Sequence, residues 1–151
     1  MKTIRRALLP ALVSACFVNA ASAAAPNTEA VEFYNVRLKH YFVTANAAEA
    51  RGIDVGAAGP GWVRTGRSFQ AWTQKSAAPA DSKPVCRFYS SSANSHFYTA
   101  DAAECGMLQS LRASELAAGK TGGWGYVGTA FFIQTPTAGA CPAGSAALNR
   151  V

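Results

Sequence analysis

Apolar and polar residues alternate from Val31 to Asn35 (VEFYN) and from His40 to Ala45 (HYFVTA), the period-two pattern of strands with one buried face. The same alternation returns in VCRFYS, residues 85–90, and SHFYTA, residues 95–100, with the polar turn residues Asn94 and Ser95 at the second junction. Each pair of strands predicts a hairpin. Asn46 and Asp101 follow, each with a glutamate three positions on (Glu49 and Glu104), which is the pattern of a helix N-cap with an acid at N3. A helix therefore opens after each hairpin, the first stopping near Val55-Gly56 and the second running through CGMLQSLRASELAA to Gly119. A last strand closes each set: GWVRTGRSFQAW over 61–72 and GWGYVGTAFFIQ over 123–134, each with a central glycine that invites a bulge. The order strand, strand, helix, strand occurs twice.

The two sets superpose as sequence. At an offset of 55 no gap is needed from Val31/Cys86 to Ala50/Cys105, and Phe33, Tyr34, Phe42, Thr44, Ala45 and Glu49 meet Phe88, Tyr89, Phe97, Thr99, Ala100 and Glu104. Gly61-Trp62, Gly66 and Phe69 then meet Gly123-Trp124, Gly128 and Phe131 at an offset of 62, so the second set carries seven extra residues between the shared blocks. The expected architecture is α+β: two degenerate hairpin-helix-strand repeats, residues 31–72 and 85–134, packed into one small domain. The polar, proline-bearing stretch 73–84 reads as a linker, and the small-residue stretch 135–151 as a tail.

The first 23 residues belong to a different system. Lys2, Arg5 and Arg6 precede the apolar run ALLPALVSACFVNA, and Ala21-Ser22-Ala23 forms a small-residue cleavage site, so an export signal is expected over residues 1–23. Val13-Ser14-Ala15-Cys16 also matches a lipobox, which makes lipidation at Cys16 the competing reading. Pro10, Ser14 and Asn19 interrupt this run, and no other long apolar segment follows, so no transmembrane anchor is expected. Without Lys2, Arg5 and Arg6 the net charge falls from +6 to +3, and the remaining cations are scattered along the chain. Nucleic acid is therefore not an expected partner. In a secreted or periplasmic setting Cys86, Cys105 and Cys141 predict a disulfide. Val31 and Ala50 stand where the second set has Cys86 and Cys105, so that pair is the preferred bridge, with Cys141 a rival for either partner. No C-x-x-C or H-x-x-x-H spacing accompanies them, and neither a metal nor another cofactor is expected.

Candidate chemistry is thin. Helix capping accounts for Glu49 and Glu104, and period two places Phe33, Phe42, Phe88 and Phe97 in a core. His40 aligns with Ser95 and His96 with Tyr41, so the imidazoles are not copied and no repeated active site follows. A small hydrolase using His96 with Asp101 or Glu104 is the catalytic alternative, although no nucleophile elbow, protease pattern or metal motif supports it. Rings with a polar tip suit sugar or peptide surfaces, which makes Tyr34, Trp62, Trp72, Tyr89, His96, Trp124 and Tyr126 the candidate ligand-binding residues.

Phe88-Tyr89, His96-Phe97-Tyr98-Thr99-Ala100, Glu104, Gly123-Trp124, Gly128 and Phe131 together resemble a repeat family of unknown function in secreted bacterial proteins. The resemblance implies an accessory role, since such repeats are similar to modules found alone in several copies or appended to exported hydrolases. The first set departs from it at Tyr41 and Val43, and CPAG at Cys141–Gly144 looks like the lead-in to a further unit. The reading is an exported, non-catalytic binding or accessory module for a glycan or cell-wall polymer. The alternative is a structural envelope protein that pairs with another envelope protein through an edge strand.

Overall fold

Alternation fixes which side of each strand is buried, and the hairpins fix what meets across it. The computed structural model describes residues 24–148; the export signal expected over 1–23, Cys16 included, lies outside the described residues. Strands β1 (Thr28–Asn35) and β2 (His40–Thr44) pair antiparallel with Phe33 directly opposite Phe42. Helix α1 (Ala47–Asp54) lays Ala50 and Ile53 on that phenylalanine pair, and Val31 and Trp62 complete the cluster. Strand β3 (Trp62–Ala71) joins the other edge of β1, giving the order β2-β1-β3.

The second half is built in the same element order. Strands β4 (Lys83–Ser90), β5 (Ser95–Thr99) and β6 (Gly125–Ile133) form a sheet ordered β5-β4-β6, with helix α2 (Ala102–Ala117) between β5 and β6 in the chain. Phe88 lies opposite Phe97, and Cys86 is bonded to Cys105 of α2 at 2.05 Å, where the first half has Val31 and Ala50. Cys141 is a free thiol. Phe33 and Phe88 are at most 1% exposed, so each contributes about 2–3 kcal/mol of apolar burial. A mixed α+β architecture of two antiparallel three-stranded sheets and two α-helices is thus what the described residues adopt.

Local polar contacts show why these segments stop and turn where they do. Asn46 accepts from the Ala48 and Glu49 amides, and Asp101 accepts from the Glu104 amide, so both helices are capped by the expected residues. Thr44 and Thr99 accept from the amides of those caps at 3.0 Å. Asn35, buried at the end of β1, accepts from the Arg37 and Leu38 amides and donates to the Pro60 carbonyl, tying the β1–β2 turn to the loop before β3. Ser90 does the same at the end of β4, accepting from the Ala93 amide and donating to the Gly122 carbonyl. The register of β3 on β1 slips between Val31 and Phe33 beside Gly66, which has φ +80°, a bulge geometry glycine adopts without strain.

Two expectations need correcting. The Glu49 carboxylate does not reach back to the cap amide; it accepts from Thr44 Oγ1 at 2.5 Å and from Arg87 of the other sheet. Trp72 is not a presented ring: it is 5% exposed, and its Nε1 donates to the carbonyls of Ala24 and Ala25. Trp72 also exchanges two backbone hydrogen bonds with Phe132, so the two sheets are joined at that edge. Ala30, Ala45, Ala71, Val85 and Phe131 form the core between the halves, and Phe69 meets Phe131 edge-on at 5.3 Å. Three of these five residues are alanines, so little side-chain volume separates the two halves there.

Candidate functional site

Each sheet has one face under its helix and one face turned away from it. On the first sheet the second face carries the row Val63, Tyr34 and Tyr41, which are direct partners across three strands, with Glu32 and Val43 paired beside them. On the second sheet the same register positions are Gly125, Tyr89 and His96, with Arg87 and Tyr98 beside them.

The first half of the molecule covers the face of the second sheet. Arg87 donates from Nη1 to both Glu49 carboxylate oxygens, at 2.9 and 3.1 Å, and its guanidinium lies 5.5 Å from the Phe42 ring. His96 meets Phe42 edge-on at 4.8 Å, and Tyr89 lies 4.9 Å from His96. The Tyr98 hydroxyl accepts from the Val43 amide at 3.2 Å and donates to the Val43 carbonyl at 2.8 Å, filling the hydrogen-bonding groups that β2 presents at its open edge. His40 Nδ1 donates to the Asn94 carbonyl, and Tyr89 donates to the Asn94 side chain. Both imidazoles of the chain thus lie along one seam between β2 and β5.

The electrostatics of this seam are those of packing. Burial pushes the His96 pKa down to about 4; the Arg87 charge adds to the shift, and Glu49 opposes it. Burial likewise pushes the Tyr98 hydroxyl up to about 12, against its bond to Val43. The ring is therefore neutral near neutral pH. Its neighbours are Phe42, Tyr89 and Tyr98, whereas Asp101 caps α2 beyond Phe97, which projects to the opposite face. His96 and Asp101 are not brought together, so that pairing lacks the contact general acid-base work needs. Among the described residues no group of three or more His, Cys, Asp or Glu is placed to hold a metal.

The corresponding face of the first sheet is exposed at its Tyr41 and Val63 positions, while Val43 beside them packs against the core between the halves. The Tyr34 and Tyr41 rings lie 4.8 Å apart at 45°, Tyr41 is 46% exposed and Val63 is 49% exposed. Glu32 of this face also lines a shallow depression of about 120 Å³ with Glu29, Arg64 and Arg67. Of the other candidate rings, Trp62 and Trp124 pack on the two helix-side cores, and Tyr126 lies 5.4 Å from Phe88 while remaining 46% exposed. Tyr126 and Arg64 take corresponding places, since Arg64 caps Phe33 at 5.0 Å while held by Asp54. Sequence reasoning passed over Tyr41 and Val63. The signal for Tyr41 was there, because hairpin pairing that sets Phe33 against Phe42 also sets Tyr34 against Tyr41.

A family model described as a domain of unknown function (DUF5648) matches residues 17–134. The chain belongs to this family. The DUF5648 match spans both sheets and ends one residue past β6, so residues 135–148 lie beyond it. No curated protein and no solved structure matches the chain. The Cys86–Cys105 bond fits an oxidising compartment outside the cytoplasm, and among the described residues no helix is long and apolar enough to cross a membrane.

Proposed function

We propose that this DUF5648 chain is an exported, non-catalytic binding module that takes a glycan or cell-wall polymer on the Val63–Tyr34–Tyr41 row. The observation that carries the reading is a pair of neighbouring tyrosine rings whose outer member, Tyr41, is 46% exposed, where its counterpart His96 is packed against Phe42. Flat rings with a polar tip stack on the apolar faces of sugars and lose little entropy in doing so. An extended, shallow surface suits a polymer better than an enclosed small molecule. The ungapped offset of 55, the matching element order and the paired roles of Asn35/Ser90, Thr44/Thr99 and Asn46/Asp101 support a duplicated ancestral unit. Export by a signal over residues 1–23 accords with the disulfide.

Binding to a panel of glycans and cell-wall polymers, with heat-denatured protein as control, tests the proposal. Saturable, fold-dependent binding that weakens in Tyr34→Ala and Tyr41→Ala supports it, and equal binding by both variants rejects the face. A protein partner is the second reading, favoured by one observation: the corresponding face of the second sheet already packs against protein, through Phe42, Val43 and Glu49.

A further inference from the structure

The two β-hairpins have turns of equal length and equal construction but opposite chemistry. Residues Val36–Lys39 and Ser91–Asn94 each form a four-residue exposed turn. Each turn is anchored by the buried polar residue before it, Asn35 or Ser90. The last turn residue has positive φ in both, +61° at Lys39 and +47° at Asn94. The second half makes this turn from Ser-Ser-Ala-Asn, the small polar residues that such geometry favours. The first half makes it from Val-Arg-Leu-Lys.

The Arg37 stem passes over Gly61, and the turn geometry itself calls for none of the four side chains. A lysine at positive φ is less favourable than the asparagine that occupies the corresponding place. Val36 is 46% and Leu38 39% exposed, and they alternate with two cations. Among the described residues neither Arg37 nor Lys39 has a carboxylate partner; the ion pairs there are made by Arg64, Arg87 and Arg112. The exposed Tyr41 and Val63 lie on the same half of the molecule, on the strands that flank this turn and the loop before β3.

We infer that the Val36–Lys39 turn docks on an anionic lipid surface, with Arg37 and Lys39 on the phosphates and Val36 and Leu38 entering the boundary with the acyl chains. The charge is complementary, and the alternating aliphatic residues select a lipid over a soluble polyanion, which needs the cations alone. This site is separate from the tyrosine row and does not depend on the glycan reading.

Flotation of the purified chain with phosphatidylglycerol/phosphatidylcholine vesicles, against pure phosphatidylcholine vesicles, tests the inference. The decisive variant carries the other turn's own sequence, Val36→Ser, Arg37→Ser, Leu38→Ala and Lys39→Asn, which this backbone already accommodates at the second hairpin. Salt-sensitive binding to the anionic vesicles, weakened roughly 30-fold by Arg37→Ser/Lys39→Asn and further by the full replacement, is expected. The charge-only pair, with its melting temperature checked, keeps the test decisive if the full replacement fails to fold. Absence of binding, equal binding to pure phosphatidylcholine, or binding unchanged in the charge-only pair would overturn it. Polyphosphate capture that is unaffected by Val36→Ser/Leu38→Ala, with vesicle binding equally unaffected, would reassign the turn to a soluble polyanion. Glycan binding through Tyr34 and Tyr41 is read separately in the same variants.

Discussion

Replacing Tyr98 by phenylalanine removes one oxygen and leaves the ring. That oxygen accepts from the Val43 amide at 3.2 Å and donates to the Val43 carbonyl at 2.8 Å, closing the β2 edge with a side chain in place of a strand. A net hydrogen bond is worth about 0.5–1.5 kcal/mol, and both partners left behind sit in a part-buried seam, so the expected loss is about 2 kcal/mol. For a folded region of this size that lowers Tm by about 7 °C. Calorimetry or urea denaturation of Tyr98→Phe against the native chain measures it, at neutral pH. A second arm uses alkali. With its pKa pushed up to about 12, Tyr98 keeps its proton when folded, so its contribution is whole below pH 10 and is lost as pH rises through about 12. Tyr98→Phe lacks that component of alkaline destabilisation. A loss below about 0.5 kcal/mol at neutral pH would refute the edge-closing role and leave Tyr98 as ordinary packing.

Two further outcomes follow from the same seam and core. Replacing the bridge by the residues the first half uses, Cys86→Val with Cys105→Ala, should cost about 3 kcal/mol, the loop entropy for a separation of 19 residues, while urea denaturation still shows a cooperative transition. On the acid side, the lowered His96 pKa means the unfolded chain binds the proton first. Stability attributable to His96 is therefore complete above pH 6.5 and is lost as pH falls to about 4, and His96→Gln should flatten that part of a stability-against-pH profile.

The helix-side cores were legible because they follow period and pairing. Alternation alone puts Phe33 against Phe42 and Phe88 against Phe97, and the caps Asn46 and Asp101 announce both helices. The Cys86–Cys105 bond was readable from the Val31/Ala50 pair that replaces it. What stayed hidden is long-range. Trp72 looks like an exposed ring at a strand end, and its burial depends on the Ala24 and Ala25 carbonyls, nearly fifty positions earlier. The alignment of His40 with Ser95 and His96 with Tyr41 separates the imidazoles in sequence, yet the packing of β2 beside β5 sets both along one seam. Glu49 reads as a cap because its spacing is right, and only the approach of Arg87 from the other sheet redirects its carboxylate. The open tyrosine row was half visible, through Tyr34, since openness depends on how the halves pack and not on either strand alone.

Whether the tyrosine row binds a polymer is decided by equilibrium binding of the purified chain to a cell-wall polymer and glycan panel, run beside Tyr34→Ala/Tyr41→Ala. Saturable binding by the native chain and a loss on the order of tenfold per ring in the double variant, with its melting curve retained, are expected. No binding across the panel, or binding unchanged by removal of both rings, would contradict this role for the tyrosine row.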